Sequence, residues 1–256
     1  MATAAVAVVD PDGVVASIGP DGTLPWASVT KLISALTVLV AVRDGVVALD
    51  EPAGPPGSTV RHLLAHASGL SPEDDTVLSP PGRRRIYSDR GYEVLADIVA
   101  ARTGTDFAGL LDQTVLEPLG MTATWLDGSA ASAARGPLRD LATFGRELLA
   151  PTLVPGLMPE ATRPVFPGLV GVLPGYGRQA PNDWGLGFEV RDGKKPHWTG
   201  ENNSPATFGH FGRSGTFLWV DPVAGLACAC LTDRDFGEWS IEAWPPLSDD
   251  VLREYA

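Results

Sequence analysis

The chain has 256 residues, 44% of them hydrophobic, enough to bury a sizeable core as one large domain or one domain carrying an insertion. Its formal net charge is −12 and its pI about 4.7. That balance argues against a nucleic-acid partner or an anionic membrane surface.

In chain order, Ala5–Val9 and Val14–Ile18 flank Asp10-Pro11-Asp12-Gly13, and two β-branched runs around a Pro-Asp-Gly turn predict a hairpin. Trp26-Ala27-Ser28-Val29-Thr30-Lys31 follows and runs into an apolar stretch, Leu32–Val42, that predicts a central buried helix ending at Asp44-Gly45. From Thr59 to about Leu149 the period is helical. Expected helices are Val60–Leu64 capped by Thr59, Ser88–Arg102 closed by Gly104, Thr105–Leu116 capped by Thr105, and Pro137–Leu149. Pro151–Pro181 is rich in Pro and Gly and predicts a long irregular segment. Strand signals return at Thr207–Phe211, Thr216–Val220 and Leu226–Leu231, and a short helix is expected over Ser248–Tyr255. The economical architecture is α+β: one antiparallel sheet built from both chain ends, with the first and last helices packed on it. In that division, residues 1–58 and 182–256 form the sheet domain, and 59–181 a mostly helical inserted region.

Cys228 and Cys230 alternate onto one face of a strand and are poorly placed for a disulfide, which predicts two buried thiols in a reduced compartment. Met1-Ala2-Thr3-Ala4 has no basic leader region, and Leu32–Val42 is too short to span a bilayer. A soluble cytoplasmic protein is the expectation, with no nucleic-acid or membrane partner; nothing in the sequence sets an oligomeric state.

Ser28 and Lys31 sit one helical turn apart on one face. A serine hydroxyl is a weak nucleophile without an adjacent base, and Lys31 becomes one if burial beside Leu32 and Ile33 lowers its pKa. In the first turn, free N–H groups and the positive dipole end favour a developing oxyanion. The spacing Ser-x-x-Lys recurs by chance, and a Ser N-cap beside a solvated Lys is its plain alternative. His62 and His66 have metal-ligand spacing, but the Glu of His-Glu-x-x-His is missing and no third ligand suggests itself; no cofactor or metal is expected. No Gly-x-Ser-x-Gly elbow exists for a Ser-His-Asp triad. Arg83-Arg84-Arg85 is the one strong basic cluster, by default a solvated surface, with steering of an anionic substrate as its alternative. Trp184, Trp198 and Trp219 suit a core or a pocket wall.

Further landmarks are Leu63-Leu64-Ala65-His66-Ala67-Ser68-Gly69-Leu70, Pro81-Gly82 followed by Tyr87-Ser88-Asp89, Glu117-Pro118-Leu119-Gly120-Met121, and Gly209-His210-Phe211-Gly212. With the Ser28 motif, and in this order from about Trp26 to Arg234, they resemble the serine β-lactamase-like superfamily. That group contains class C β-lactamases, D-alanyl-D-alanine carboxypeptidases and related esterases. The resemblance implies a β-lactamase/transpeptidase-like fold, a small-molecule acyl substrate and two-step acyl transfer. Ser28 would be the acylated nucleophile, Lys31 its base and Tyr87 a proton shuttle whose pKa the Lys31 ammonium depresses. His210 would line the site, and the backbone N–H groups of Ser28 and of Arg213, just past Gly212, would form the oxyanion hole.

Two departures narrow this expectation. Asp89 stands where the family usually has Asn, so an amide donor is lost, and the carboxylate favours a protonated Lys31, shifting the base role towards Tyr87. His210 replaces a common Lys that attracts a substrate carboxylate. Both favour a small-ester hydrolase over a β-lactamase or D-amino-acid peptidase. Asp89 also keeps open a protein that acylates and stalls.

Overall fold

The computed structural model describes residues 3–256; the Met1-Ala2 start lies outside them. In chain order the elements are the hairpin β1 (Ala4–Asp10) and β2 (Gly13–Ile18), the short β3 (Leu24–Pro25), a 3₁₀ turn at Ala27–Val29 and helix α1 (Thr30–Arg43). Then come α2 (Val60–Leu64), α3 (Asp89–Thr103), α4 (Phe107–Leu111), a π-turn over Asp112–Leu116 and α5 (Glu117–Leu119). After β4 (Trp125–Leu126) and β5 (Ala134–Gly136) come α6 (Leu138–Leu149), α7 (Met158–Ala161), and a second hairpin, β6 (Gly171–Leu173) and β7 (Gly177–Gln179). Strands β8 (Glu189–Val190), β9 (Phe208–Gly212), β10 (Thr216–Asp221) and β11 (Leu226–Thr232) lead to the last helix, α8 (Glu238–Tyr255).

The main sheet has the order β2-β1-β11-β10-β9-β8, with antiparallel pairing along it, so both chain ends do build one sheet. Alternation divides its side chains. Val9, Leu218, Val220, Ala227, Ala229 and Leu231 join one core with α1 and α6. Val8, Phe217, Trp219, Cys228 and Cys230 face the other way, into an aromatic layer with Trp244, Val251 and Leu252 of α8. Both cysteines are buried and unpaired on that face. Helix α6, which the sequence division puts in the inserted region, packs on the sheet: a Cβ on Gly145 would meet Leu218, Ala227 and Val9 side chains at 3.2–3.5 Å. The larger core runs without a break from the sheet into α1, α3 and α4.

Helix α2 is capped by Thr59, and α3 by Ser88, with Gly104 left-handed at its end. The helix after Gly104 begins at Phe107, because Asp106, not Thr105, caps it by accepting the Gly109 N–H at 2.8 Å. The last helix starts ten residues before the expected Ser248. Pro245 and Pro246 hide its first half from a propensity reading, while Trp244, 1% exposed, anchors that half among Phe217, Phe211 and Phe236. The segment expected to be irregular contains α7 and the β6–β7 hairpin.

Candidate active site

Ser28 is the one partly exposed residue in the run Trp26–Ala41, every other member of which is buried. It sits in the 3₁₀ turn that feeds α1. Ala27, immediately before it, has φ of 45°, a left-handed conformation that costs an alanine on the order of 1 kcal/mol. The surroundings hold that turn. Trp26 donates its backbone N–H to Ala134 O at 2.9 Å, and Thr216 Oγ1 donates to Trp26 O at 3.0 Å. Ser214 Oγ donates to Pro25 O at 2.9 Å. Gly212 is pressed against the same turn: a Cβ there would come within 2.6 Å of Trp26 O and 2.9 Å of Ala27 Cβ. Only glycine lets the end of β9 approach this closely, and the approach carries the Arg213 backbone to the Ser28 turn. The Arg213 side chain itself is exposed.

Lys31, with a side-chain exposure of 0%, donates from Nζ to Asp89 Oδ1 at 2.6 Å and to Ala131 O at 3.0 Å. Its Nζ also lies 4.6 Å from the centre of the Tyr87 ring. Burial lowers its pKa to about 8, outweighing the opposing pull of Asp89 and Glu93. Asp89 is 41% exposed, so water screens its charge, which is why the carboxylate fails to hold the ammonium at its ordinary value.

Tyr87 Oη and His210 Nε2 are 2.9 Å apart, joining residues far apart in the chain. The ring is enclosed by His66, Trp184 and His210, with ring centres 4.6, 5.8 and 5.3 Å away. Here the sequence expectation fails on charge. Burial, reinforced by Asp89, raises the Tyr87 pKa well above the ordinary phenol value, and a hydrogen bond from Ser28 only partly opposes this. Lys31 does not depress it, so Tyr87 is a neutral phenol. Desolvation disfavours the ammonium and the phenolate alike, so the Lys31 pKa moves down and the Tyr87 pKa up, opposite to the expected depression of Tyr87. His210, 1% exposed, is likewise neutral: burial first and Lys31 second push its pKa down to about 3. It stands beside Tyr87 without charge.

Sequence reasoning missed the segment 129–134 as a side of the site because its contribution is backbone. Ala131 offers Lys31 its carbonyl, Ala130 O accepts from Ser34 Oγ at 2.6 Å, and Ala134 N–H donates to Thr30 Oγ1 at 3.0 Å. His66 does have a structural task, its Nδ1 accepting the Ser88 N–H at 3.1 Å beside Tyr87. His62 instead stacks on Phe166, with ring centres 4.2 Å apart. No metal-binding group of His, Cys, Asp and Glu occurs among the described residues. Trp184 is buried against the His66, Tyr87 and His210 rings; Trp198 and Trp219 belong to the core. Arg85, expected at a solvated surface, is 3% exposed, with Nε donating to Asn182 O at 3.0 Å and Nη2 to Val165 O at 2.9 Å. No helix among the described residues is long and apolar enough to cross a membrane.

The Beta-lactamase family model matches residues 1–252, and the chain belongs to that family. A beta-lactamase structure from Mycobacterium bovis is 55% identical over 99% of this chain and 95% of its own, with a TM-score of 0.98. A mutant of simvastatin synthase from Aspergillus terreus is 16% identical, covering 99% of this chain and 94% of its own, with a TM-score of 0.79. A hydrolase with promiscuous acyltransferase activity is also 16% identical, covering 91% and 89%, with a TM-score of 0.76. The last two share the fold alone. No curated protein matches the chain.

Proposed function

We propose that this chain is a serine hydrolase that cleaves small carboxylic esters through an acyl-enzyme on Ser28. The observation that carries the reading is Lys31: fully buried, with a pKa of about 8, packed against the Tyr87 ring and one turn from Ser28. Near neutral pH a useful fraction of Lys31 is a free amine, which is what Ser28 needs as a base.

Ser28 Oγ attacks the ester carbonyl carbon as its proton passes to the Lys31 amine. The Ser28 and Arg213 backbone N–H groups hold the oxyanion. Collapse breaks the bond to the alcohol oxygen. The departing alkoxide takes the Tyr87 phenol proton, and the Lys31 ammonium restores it. Water then attacks the acyl carbon as its proton passes to Lys31, and collapse breaks the bond to Ser28 Oγ as the Lys31 ammonium returns that proton to it. His210, neutral and bonded to Tyr87 Oη, keeps the phenol oriented.

Ester substrates fit best because Asp89 and His210 replace an amide donor and a cation suited to β-lactams and peptide carboxylates. β-Lactam hydrolysis is the second reading, favoured by the 55% identity to a structure described as a beta-lactamase. Turnover of p-nitrophenyl acetate and of nitrocefin, measured for the native chain, Ser28→Ala and Lys31→Ala, separates the two. Ester turnover lost in both variants, with weak nitrocefin cleavage, is expected; comparable nitrocefin turnover favours the second. A stable penicillin adduct without turnover of either substrate would make it a stalled acyl-binding protein. Failure of both a fluorophosphonate and a fluorescent penicillin to add mass at Ser28 would overturn every covalent reading.

A further inference from the structure

Beside Tyr87 lies a cavity of about 340 Å³, between the Arg84–Tyr87 segment and the β6–β7 hairpin. Ile86, Val170 and Val172 give it apolar walls, and Tyr87 forms part of its lining. Arg84 and Arg178 also line it, and both are exposed. Seven of the sixteen arginines have a carboxylate partner among the described residues, and Arg84 and Arg178 are among the nine that have none. The cavity is held open by its frame. The backbone of Arg85 donates to Val170 O at 3.0 Å, and its guanidinium is tied to Asn182, Val165 and Phe166 carbonyls. Gly171 meets this segment so closely that a Cβ would lie 2.6 Å from Arg85 O.

We propose that this cavity is a subsite for the leaving group of the ester, an alcohol with a short apolar chain ending in a carboxylate. The proposal rests on the ester-hydrolase reading above. In that chemistry Tyr87 protonates the departing alkoxide, so the substrate portion that runs past Tyr87 into the cavity is the alcohol. Its chain lies on Ile86, Val170 and Val172. Its carboxylate is met by two guanidiniums with unused donors, a geometry suited to bidentate pairing.

The test compares ω-acetoxyhexanoate with hexyl acetate, which has the same alkyl length and no charge. In low salt the native chain is expected to show a kcat/KM ratio of roughly ten or more in favour of the anionic ester, falling as salt screens the pair. In the R84Q/R178Q double variant the ratio is expected to fall to about one. A ratio at or below one in the native chain, or one that survives the double substitution, overturns the subsite while leaving ester hydrolysis standing. If neither ester is cleaved, the hydrolase reading fails, and calorimetry with the native chain decides the subsite. Tighter binding of ω-hydroxyhexanoate than of hexanol, lost in R84Q/R178Q, sustains it; equal or absent binding overturns it.

Discussion

Two buried lysines lie in this molecule with different surroundings. Lys194 donates to Glu189 Oε1 at 2.7 Å, to Asp183 O at 2.8 Å and to Val190 O, so all three of its protons are placed. Glu189 is in turn held by His197 at 3.0 Å and by the Trp198 indole, and Lys194 and His197 keep its carboxyl below its usual range despite burial. Lys31 has two acceptors, one of them half-exposed Asp89, and turns towards an aromatic ring. A saturated ammonium fixes structure, here the connection from β8 to the loop before β9. An ammonium with a place left unfilled can release a proton. Burial lowers both pKa values, and the difference lies in what else each nitrogen touches.

The sharpest way to break this contrast is to replace each lysine by methionine. Lys31→Met is expected to lower kcat/KM for p-nitrophenyl acetate by at least about 10³-fold. The same change is expected to raise stability. A lysine whose folded pKa is about 8, below its ordinary 10.5, penalises the fold while charged; the penalty is complete below pH 8 and fades as pH rises towards 10.5. Thermal melts at pH 7 should show Lys31→Met more stable, by on the order of 1–3 kcal/mol, and a less stable variant would show that the site carries no such strain. Lys194→Met should do the reverse. It leaves Glu189 charged, buried and short of its main partner, at a cost of about 3–5 kcal/mol in urea unfolding. Unchanged stability would mean that Lys194 holds nothing together.

Tyr87→Phe tests the phenol in the contrast. With the ring retained against His66 and Trp184, stability should hold, while loss of the proton delivered to the leaving alkoxide lowers kcat by about 10²-fold. A better leaving group should soften the effect, so p-nitrophenyl acetate should lose less than an alkyl acetate. Equal losses would place Tyr87 outside proton delivery.

How far these features were legible follows from how local they are. Ser28 and Lys31 are fixed by helix period, and Thr59, Ser88 and Gly104 by capping rules, so residue spacing suffices for them. The alternation Cys228–Cys230 and the hairpin at Asp10–Gly13 are local in the same way. The meeting of Tyr87 with His210 is set by the whole fold, and only the likeness of motifs suggested it. Charge states were illegible because burial is a tertiary property: Tyr87 was expected to ionise easily, and packing against His66, Trp184 and His210 instead makes its phenolate costly. Ala131 has no side-chain signal for a carbonyl that binds Lys31, and Pro245-Pro246 masked the first half of α8.

Asp89→Asn is the smallest change and the most direct probe of the Lys31 side of the contrast. The carboxylate is the main group that raises Lys31's affinity for a proton. An amide at the same place can still accept the Nζ–H bond but no longer stabilises positive charge. The Lys31 pKa should therefore fall further below 8, by about one unit for a partner this exposed. Because the free amine is the base, activity in the native chain should drop about tenfold per pH unit below pH 8, and in Asp89→Asn that limb should move to lower pH. At pH 7 the variant should be several-fold faster on p-nitrophenyl acetate. A profile of kcat/KM against pH decides it: a limb that stays in place, or moves to higher pH, would show that the proton taken from Ser28 does not go to Lys31.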